Sequence, residues 1–450
     1  MTVDEHGAGE PPDGAAPTVA VAPAARTASQ AALDRYGRRM RRSRAIYFGV
    51  IGAVILAVGI TVGIVWAHGE TAHSRLHTAG QAAPSVALQS LSATQQRAWQ
   101  SADRSAIGTP YWGGTVVTYT ADSVRGRNAA TGKITWSYTR TDRTVCQAIQ
   151  DQGITVAVFE LNGNCDQVTG LDSGTGERRW DRTLDKAEGQ DSQPLNGRPT
   201  YSVSQNAVML TTSRVIYAVD PVSGLDRWAY HPEGCAIHGA VIGTAGALIS
   251  QTCVRPKCDG IKFCGPGVQL LLRDAGAPRN EDDKTNPDRI IWNQLGTNAV
   301  PASADQRISA VDSVLGQLEV FGAAHGAPIA RLALTGGLAS SEGIAALEIG
   351  SAELLWISGT TYAVNPAGTK FLWTAPTPAP PTVTPLSEAG LPDLRASTIA
   401  VASAAGIALL EPGTGKTART IAVAAPPAGS VVYPFGTGFV VAGPSTTVYR

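Results

Sequence analysis

The 450-residue sequence predicts an all-β fold, an eight-bladed β-propeller with seven blades as the alternative, behind one N-terminal transmembrane helix. Three observations predict it. A Gly-to-Trp spacing recurs about every 46 residues beyond residue 95, helical periodicity is nearly absent after residue 100, and one long uncharged run stands before both.

The run is Ala45 to Ala67, rich in Ile, Val, Gly and Ala. A helix of 23 residues at ~1.5 Å each spans about 34 Å, enough for a hydrocarbon core of ~30 Å. Arg35, Arg38, Arg39, Arg41, Arg42 and Arg44 crowd its N-terminal side, whereas His68, Glu70, His73 and Arg75 follow it. That asymmetry places the N-terminus in the cytoplasm and the rest outside. A cleaved signal peptide would have a shorter apolar region and a shorter basic start. Residues 1–44 precede the helix as a tail rich in Ala, Pro and Gly, too poor in large apolar groups to offset ordering entropy. Residues 68–94 are polar and small, suiting a stalk, and 95–450 hold the repeats. The expected location is therefore the plasma membrane, with residues 45–67 in the bilayer and the large domain extracytoplasmic.

The repeats carry the fold. Val124 to Trp136 reads VRGRNAATGKITW, Val168 to Trp180 reads VTGLDSGTGERRW, and Ile216 to Trp228 reads IYAVDPVSGLDRW. In each, a glycine (Gly132, Gly176, Gly224) stands four residues before the tryptophan. Tyr362 to Trp373 repeats the outline with Gly368 five before the Trp. Degenerate copies put Gly326 before Ala330 and Gly415 before Arg419. Each copy reads as a strand, a tight turn built from Asp or Asn, Pro, Ser, Thr and Gly, and a second strand opened by a large aromatic. Trp99 and Trp292 fill two further slots, the latter after an inserted polar loop at 275–288. Beyond Arg419 the segments SVVYPF, GFVVAG and TTVYR make three strands without a fourth, while Trp99 lies on a strand without the preceding three. Pairing them closes a ring and removes an exposed edge.

All six cysteines lie beyond the membrane helix, as an oxidising compartment permits. Blade spacing predicts Cys146–Cys165 and Cys235–Cys253, each joining the first and second strands of one blade, and leaves Cys258–Cys264 by elimination. A metal site from Cys253, Cys258, Cys264 and His238 lacks close C-x-x-C knuckles and is not expected.

The outline D-x-x-[ST]-G-x-x-x-W, at Asp172–Trp180 and Asp220–Trp228, resembles the tryptophan-docking motif of the quinoprotein-dehydrogenase-like, or PQQ-like, β-propellers. With its anchor and composition, the chain is also similar to actinobacterial single-pass membrane proteins with this repeat. The resemblance implies a structural role for Trp99, Trp136, Trp180, Trp228, Trp292 and Trp373. It leaves function open, since that group holds quinone dehydrogenases and non-catalytic assembly lipoproteins.

For catalysis the sequence offers little. No adjacent cysteine pair is present, and Glu281, Asp282 and Asp283 read as a solvated loop. EPGTGKT at 411–417 lacks the first glycine of a phosphate-binding loop, Leu410 standing there. His231, His238 and His325 are isolated in sequence. No catalytic residue, cofactor or metal is expected. The 36 basic and 36 acidic residues cancel, so no field draws nucleic acid. The expected function is a non-catalytic binding or scaffold protein of the cell envelope with a protein partner. A ligand-sensing or quinone-cofactor-binding propeller is the alternative. The insertion at 254–288 is the expected recognition surface.

Overall fold

The computed structural model describes residues 47, 49–61, 70–85, 94–184, 197–204, 207–254, 256, 260, 264–276, 278, 280, 282–297, 299–335, 343–349, 352–384 and 398–450. They divide into two units, Met1–Ala72 and His73–Arg450. In the first, residues 47 and 49–61 are helical. The remainder of the expected 45–67 helix and the expected tail at 1–44 lie outside the described residues. Among the described residues no helix is long and apolar enough to cross a membrane.

Among the described residues the second unit holds eight sheets, antiparallel but for one short parallel pairing, which decides for eight blades over seven. Blade two shows the pattern. Thr144–Asp151, Ile154–Leu161, Asn164–Asp172 and Arg178–Thr183 pair in sequence order. Its middle strands are rich in Val, Ile, Leu and Phe and are buried along almost their whole length; the fourth alternates with solvent. Both faces of a middle strand meet another blade, so period-two polarity disappears there.

Blades three to seven repeat this order from Thr200–Ser204 through Thr417–Ile421. Blade eight is made of Val431–Phe435, Gly438–Ala442, Thr446–Tyr449 and the N-terminal strand Arg97–Ser101. Arg97 stands opposite Tyr449 and Ser101 opposite Thr446, as the sequence predicts. Beyond the ladder, the Gln96 and Arg450 backbones exchange hydrogen bonds of 2.8 and 2.9 Å. Apolar clusters lie between successive blades. One joins Val208, Leu210 and Tyr217 of blade three to Val156 and Val158 of blade two, and another joins Phe435, Val440 and Val448 to Val116 across the closing seam.

Two elements depart from the regular plan. Blade one, whose longer strands are Thr115–Tyr119, Ser123–Asn128 and Ile134–Arg140, has a broken first strand. Arg104–Ser105 and Tyr111–Trp112 both pair with Thr115–Tyr119, while Ile107–Gly108 between them pairs in parallel with blade two. Ser74–His77, inside the expected stalk, adds antiparallel to the outer strand of blade one, from Ser74 opposite Arg140 to His77 opposite Ser137. The chain then continues across the turns of blades one and two. Ala79 N–H donates to Thr175 O at 2.8 Å, and Ala83 and Pro84 lie against Gly113 and Gly114.

Candidate functional site

Alternating strand direction gives the ring two faces. Turns between first and second strands, and between third and fourth, share one; turns between second and third strands, and the blade-to-blade connections, share the other.

The repeated motif builds the first face. Asp172 Oδ1 accepts from the N–H groups of Gly174 and Thr175 at 3.0 and 2.9 Å, and Asp220 Oδ1 does the same for Val222 and Ser223 at 2.9 Å. The capped turn leaves one carbonyl facing the preceding blade. Into it the preceding tryptophan donates its indole N–H: Trp99 to Ala129 at 2.8 Å, Trp136 to Ser173 at 3.0 Å, and Trp180 to Pro221 at 2.9 Å. Trp228, Trp292 and Trp373 dock likewise on Ala275, Ala323 and Pro412. The turn glycine lies flat on the same indole. At Gly176, with φ +74°, a Cβ would come within 2.6 Å of Trp136 Cγ. A register shift between third and fourth strands falls beside the tryptophan in blades one to four and in blade six, re-aiming the side chain along the ring. The six tryptophans therefore hold neighbouring blades together.

Two slots lack the tryptophan, and a third keeps it with an added cation. In blade four the Arg273 guanidinium lies over Trp228, 4.0 Å from the ring. Burial pushes its pKa down to about 10, so it stays charged at neutral pH. In blade five Ala330 replaces the tryptophan; Arg307 donates to Pro366 O at 3.0 Å and Val320 packs on Gly368. Blade seven carries Arg419, and in the blade that follows the third and fourth strands, Thr446–Tyr449 and Arg97–Ser101, are not joined by a turn to dock against. No sequence signal marks Arg273 or Arg307 for these roles.

The second face holds the two disulfides whose cysteines are both among the described residues. Cys235–Cys253 joins directly opposed residues of the first and second strands in blade four, as expected. Cys146–Cys165 forms too, but it joins the first strand to the third rather than the second. Both ladders of the intervening strand slip register near Phe159, which brings the two Cα atoms to 6.1 Å. Cys258 of the third expected pair lies outside the described residues, and Cys264 is disulfide-bonded. Glu160 is near Cys146 and Cys165, but sulfurs bonded to each other offer no thiolate to a metal. Beside them runs an ion-pair chain from Arg140 through Asp142 (2.9 Å) to Arg143 (3.5 Å). Burial raises the Asp142 carboxyl, yet its hydrogen bonds and the charge of Arg140 outweigh this and hold it below the ordinary range.

The expected recognition insertion is two insertions. Gly267–Arg273 is the third strand of blade four and runs through its middle. The chain therefore leaves Cys253 and re-enters at Gly267 on the disulfide face, and leaves Arg273 and re-enters at Ile290 on the docking-turn face. There Asp283 Oδ1 caps Thr285 and Asn286 at 3.1 Å, which makes part of the expected acidic loop an ordered turn. Among the described residues, Val254, Leu295, Val314 and Leu315 are large exposed apolar side chains at the disulfide-face ends of strands in blades four and five, with Val254 and Val314 75% and 76% exposed. His238, on the same face, shares a 2.7 Å hydrogen bond with Thr252.

Residues 85–240 match the family model described as outer membrane protein assembly factor BamB. Over residues 85–240 the propeller thus resembles the PQQ-like repeat family. The matched stretch covers the first three blades and the start of the fourth. No curated protein matches the sequence. Among solved structures, the C-terminal WD40 domain of Sif2 aligns with a TM-score of 0.50 at 10% identity, covering 81% of this chain and 99% of that one. BamB from Moraxella catarrhalis aligns with a TM-score of 0.44 at 17% identity over 81% and 100%. The quinohemoprotein alcohol dehydrogenase ADHIIG from Pseudomonas putida HK5 aligns with a TM-score of 0.44 at 12% identity over 79% and 76%. The Sif2 likeness is one of fold.

Proposed function

We propose that this chain is a membrane-anchored, extracytoplasmic binding or scaffold protein without catalytic activity, and that it grips a polypeptide partner with the disulfide face of blades four and five. The exposure of Val254, Leu295, Val314 and Leu315 on one side of adjacent blades carries the reading. Large apolar side chains exposed on one face of adjacent blades are a common mark of a surface that another protein covers. The Cys235–Cys253 bridge fixes the strand end from which the 254–266 loop departs, so a partner would meet a rigid base. The family match to an assembly factor agrees with a role in holding other proteins. The anchor rests on the uncharged run at 45–67 and the arginines before it, and the location on the cysteines beyond it.

Photo-crosslinking amino acids placed at Val314 and Leu315 test the surface in native membranes, with Val222 on the docking-turn face as the control. Protein adducts are expected from the first two positions and not from the third. Equal labelling at all three, or none at Val314 and Leu315, would sink the reading.

A further inference from the structure

Where the ring closes, a cavity of about 340 Å³ opens at the disulfide-face ends of blades eight, one and two. Its wall comes from both ends of the ring: Arg104 and Ile107 follow the N-terminal closing strand, Val431 and Tyr433 belong to the C-terminal strands, and Tyr119 and Gln147 complete it. The seam beside it is stitched independently of any guest. Ser105 and Thr446 share a 2.6 Å hydroxyl contact, Thr446 Oγ1 donates to Asp103 O at 3.0 Å, and Ser105 N–H donates to Gly443 O at 3.2 Å. The cavity is therefore a preserved space within a closed seam.

The polar groups of the wall fall into two classes. Tyr119 donates to Gln147 Oε1 at 3.1 Å, and Gln147 Nε2 donates to Ala148 O at 3.2 Å. The Arg104 guanidinium and the Tyr433 hydroxyl, by contrast, make no hydrogen bond or ion pair with any described residue. Asp103, the carboxylate adjacent in sequence to Arg104, is already engaged by Arg127 at 2.6 Å and Arg125 at 3.3 Å. Burial, with Tyr111 nearby, pushes the Tyr433 pKa up to about 12, so its hydroxyl keeps its proton at neutral pH. Both unused groups are donors and one is a full cation. Ile107, Val431, Ala106 and Ala442 supply apolar surface between them. A few polar anchors on an apolar wall, at the small end of the ~300–1,000 Å³ range, describe a site for a small organic ligand.

We propose that this seam cavity binds a carboxylate carried on a short apolar body, with Arg104 pairing with the carboxylate and Tyr433 donating a hydrogen bond to it. Two sources share this chemistry: a free short-chain acid and the C-terminus of a polypeptide. The site is separate from the apolar surface of blades four and five. Because its wall joins the first and last strands of the ring, an occupant strengthens closure by mass action.

The test uses the full chain in detergent, calorimetric titration and thermal unfolding. The probes are 4-methylpentanoate, N-acetyl-valyl-leucine, and the amide of each. The acids are expected to bind with Kd on the order of 0.1 mM and to raise the melting temperature, and the amides to do neither. Binding of 4-methylpentanoate alone assigns a free acid; equal or tighter binding of N-acetyl-valyl-leucine assigns a polypeptide C-terminus. Arg104→Gln should weaken acid binding about tenfold or more, and Tyr433→Phe about fivefold. Crosslinking at Val314 should be unchanged in both variants, which separates this site from the surface above. Amides binding as well as acids, an unaltered Kd in Arg104→Gln, or no acid binding at about 10 mM would each overturn the proposal.

Discussion

Gly176 and Trp136 show how one repeat unit locks to the next. The glycine takes φ +74° and lies within contact of the indole, and Trp136 is fully buried. Gly176→Ala adds both backbone strain and a methyl into occupied space, so a loss of about 2–3 kcal/mol is expected in denaturant unfolding. Trp136→Ala should cost more, about 3–5 kcal/mol, since it leaves a cavity and an unanswered carbonyl at Ser173. The spacing of glycine and tryptophan made this lock legible in the sequence. Its replacement in blade five was not, because Arg307 and Val320 lie outside the motif and reach the turn only through packing. A second residue sets a pH dependence. Glu353 is 1% exposed, one of its oxygens has no partner among the described residues, and burial pushes its pKa up to about 7. An acid with a raised folded pKa binds its proton more tightly in the native state. Stability is then greatest below the unfolded pKa of about 4.5 and falls as pH rises toward 7, by an amount on the order of 3 kcal/mol. Glu353→Gln should flatten that fall, read as the difference between wild-type and variant denaturation midpoints from pH 4.5 to 7.5.

Elements were legible where their residues alternate or repeat, and obscure where the partner supplies the order. Ser74–His77 reads SRLH, without a β-branched residue, and becomes a strand because Ile134–Arg140 offers an open edge. A chain starting at residue 73 should unfold like one starting earlier, whereas one starting at 86 should lose about 2 kcal/mol through the lost ladder and uncovered turns. Equal denaturation midpoints for the two truncations would remove the strand from the ring's architecture. The cysteine pairs were readable from blade spacing, but not that Cys165 sits on the third strand, where the register slips around Phe159 bring it within reach of Cys146. Each observed bridge closes a similar span, 19 and 18 residues, so chain entropy assigns about 3 kcal/mol to either. Cys146→Ser with Cys165→Ser, and Cys235→Ser with Cys253→Ser, should therefore show comparable losses in unfolding free energy. The split of 254–288 also escaped the sequence, where the strand Gly267–Arg273 is hidden between two polar stretches. Deleting the whole segment would remove a buried strand with the loops, so crosslinking at chosen positions is the sounder probe of recognition.

For the whole molecule, ring closure was legible because two incomplete blades at opposite ends of the repeat array complete one another. Removing 446–450 deprives Arg97–Ser101 of its ladder and should yield a chain without a compact ring, seen as early elution and rapid proteolysis. The paired ends also fix an order in time. Ser101 is made long before its partner Thr446, with 344 residues between them (446 − 101 − 1). At roughly 5–20 residues per second the ribosome needs about 20–70 s to cover that distance. Throughout that interval Trp99 has no completed blade around it, and the blades already formed stand as an open arc. A growing chain of this design must be shielded at two edges until Thr446–Tyr449 is made, so the ring closes late however early its first strand appears.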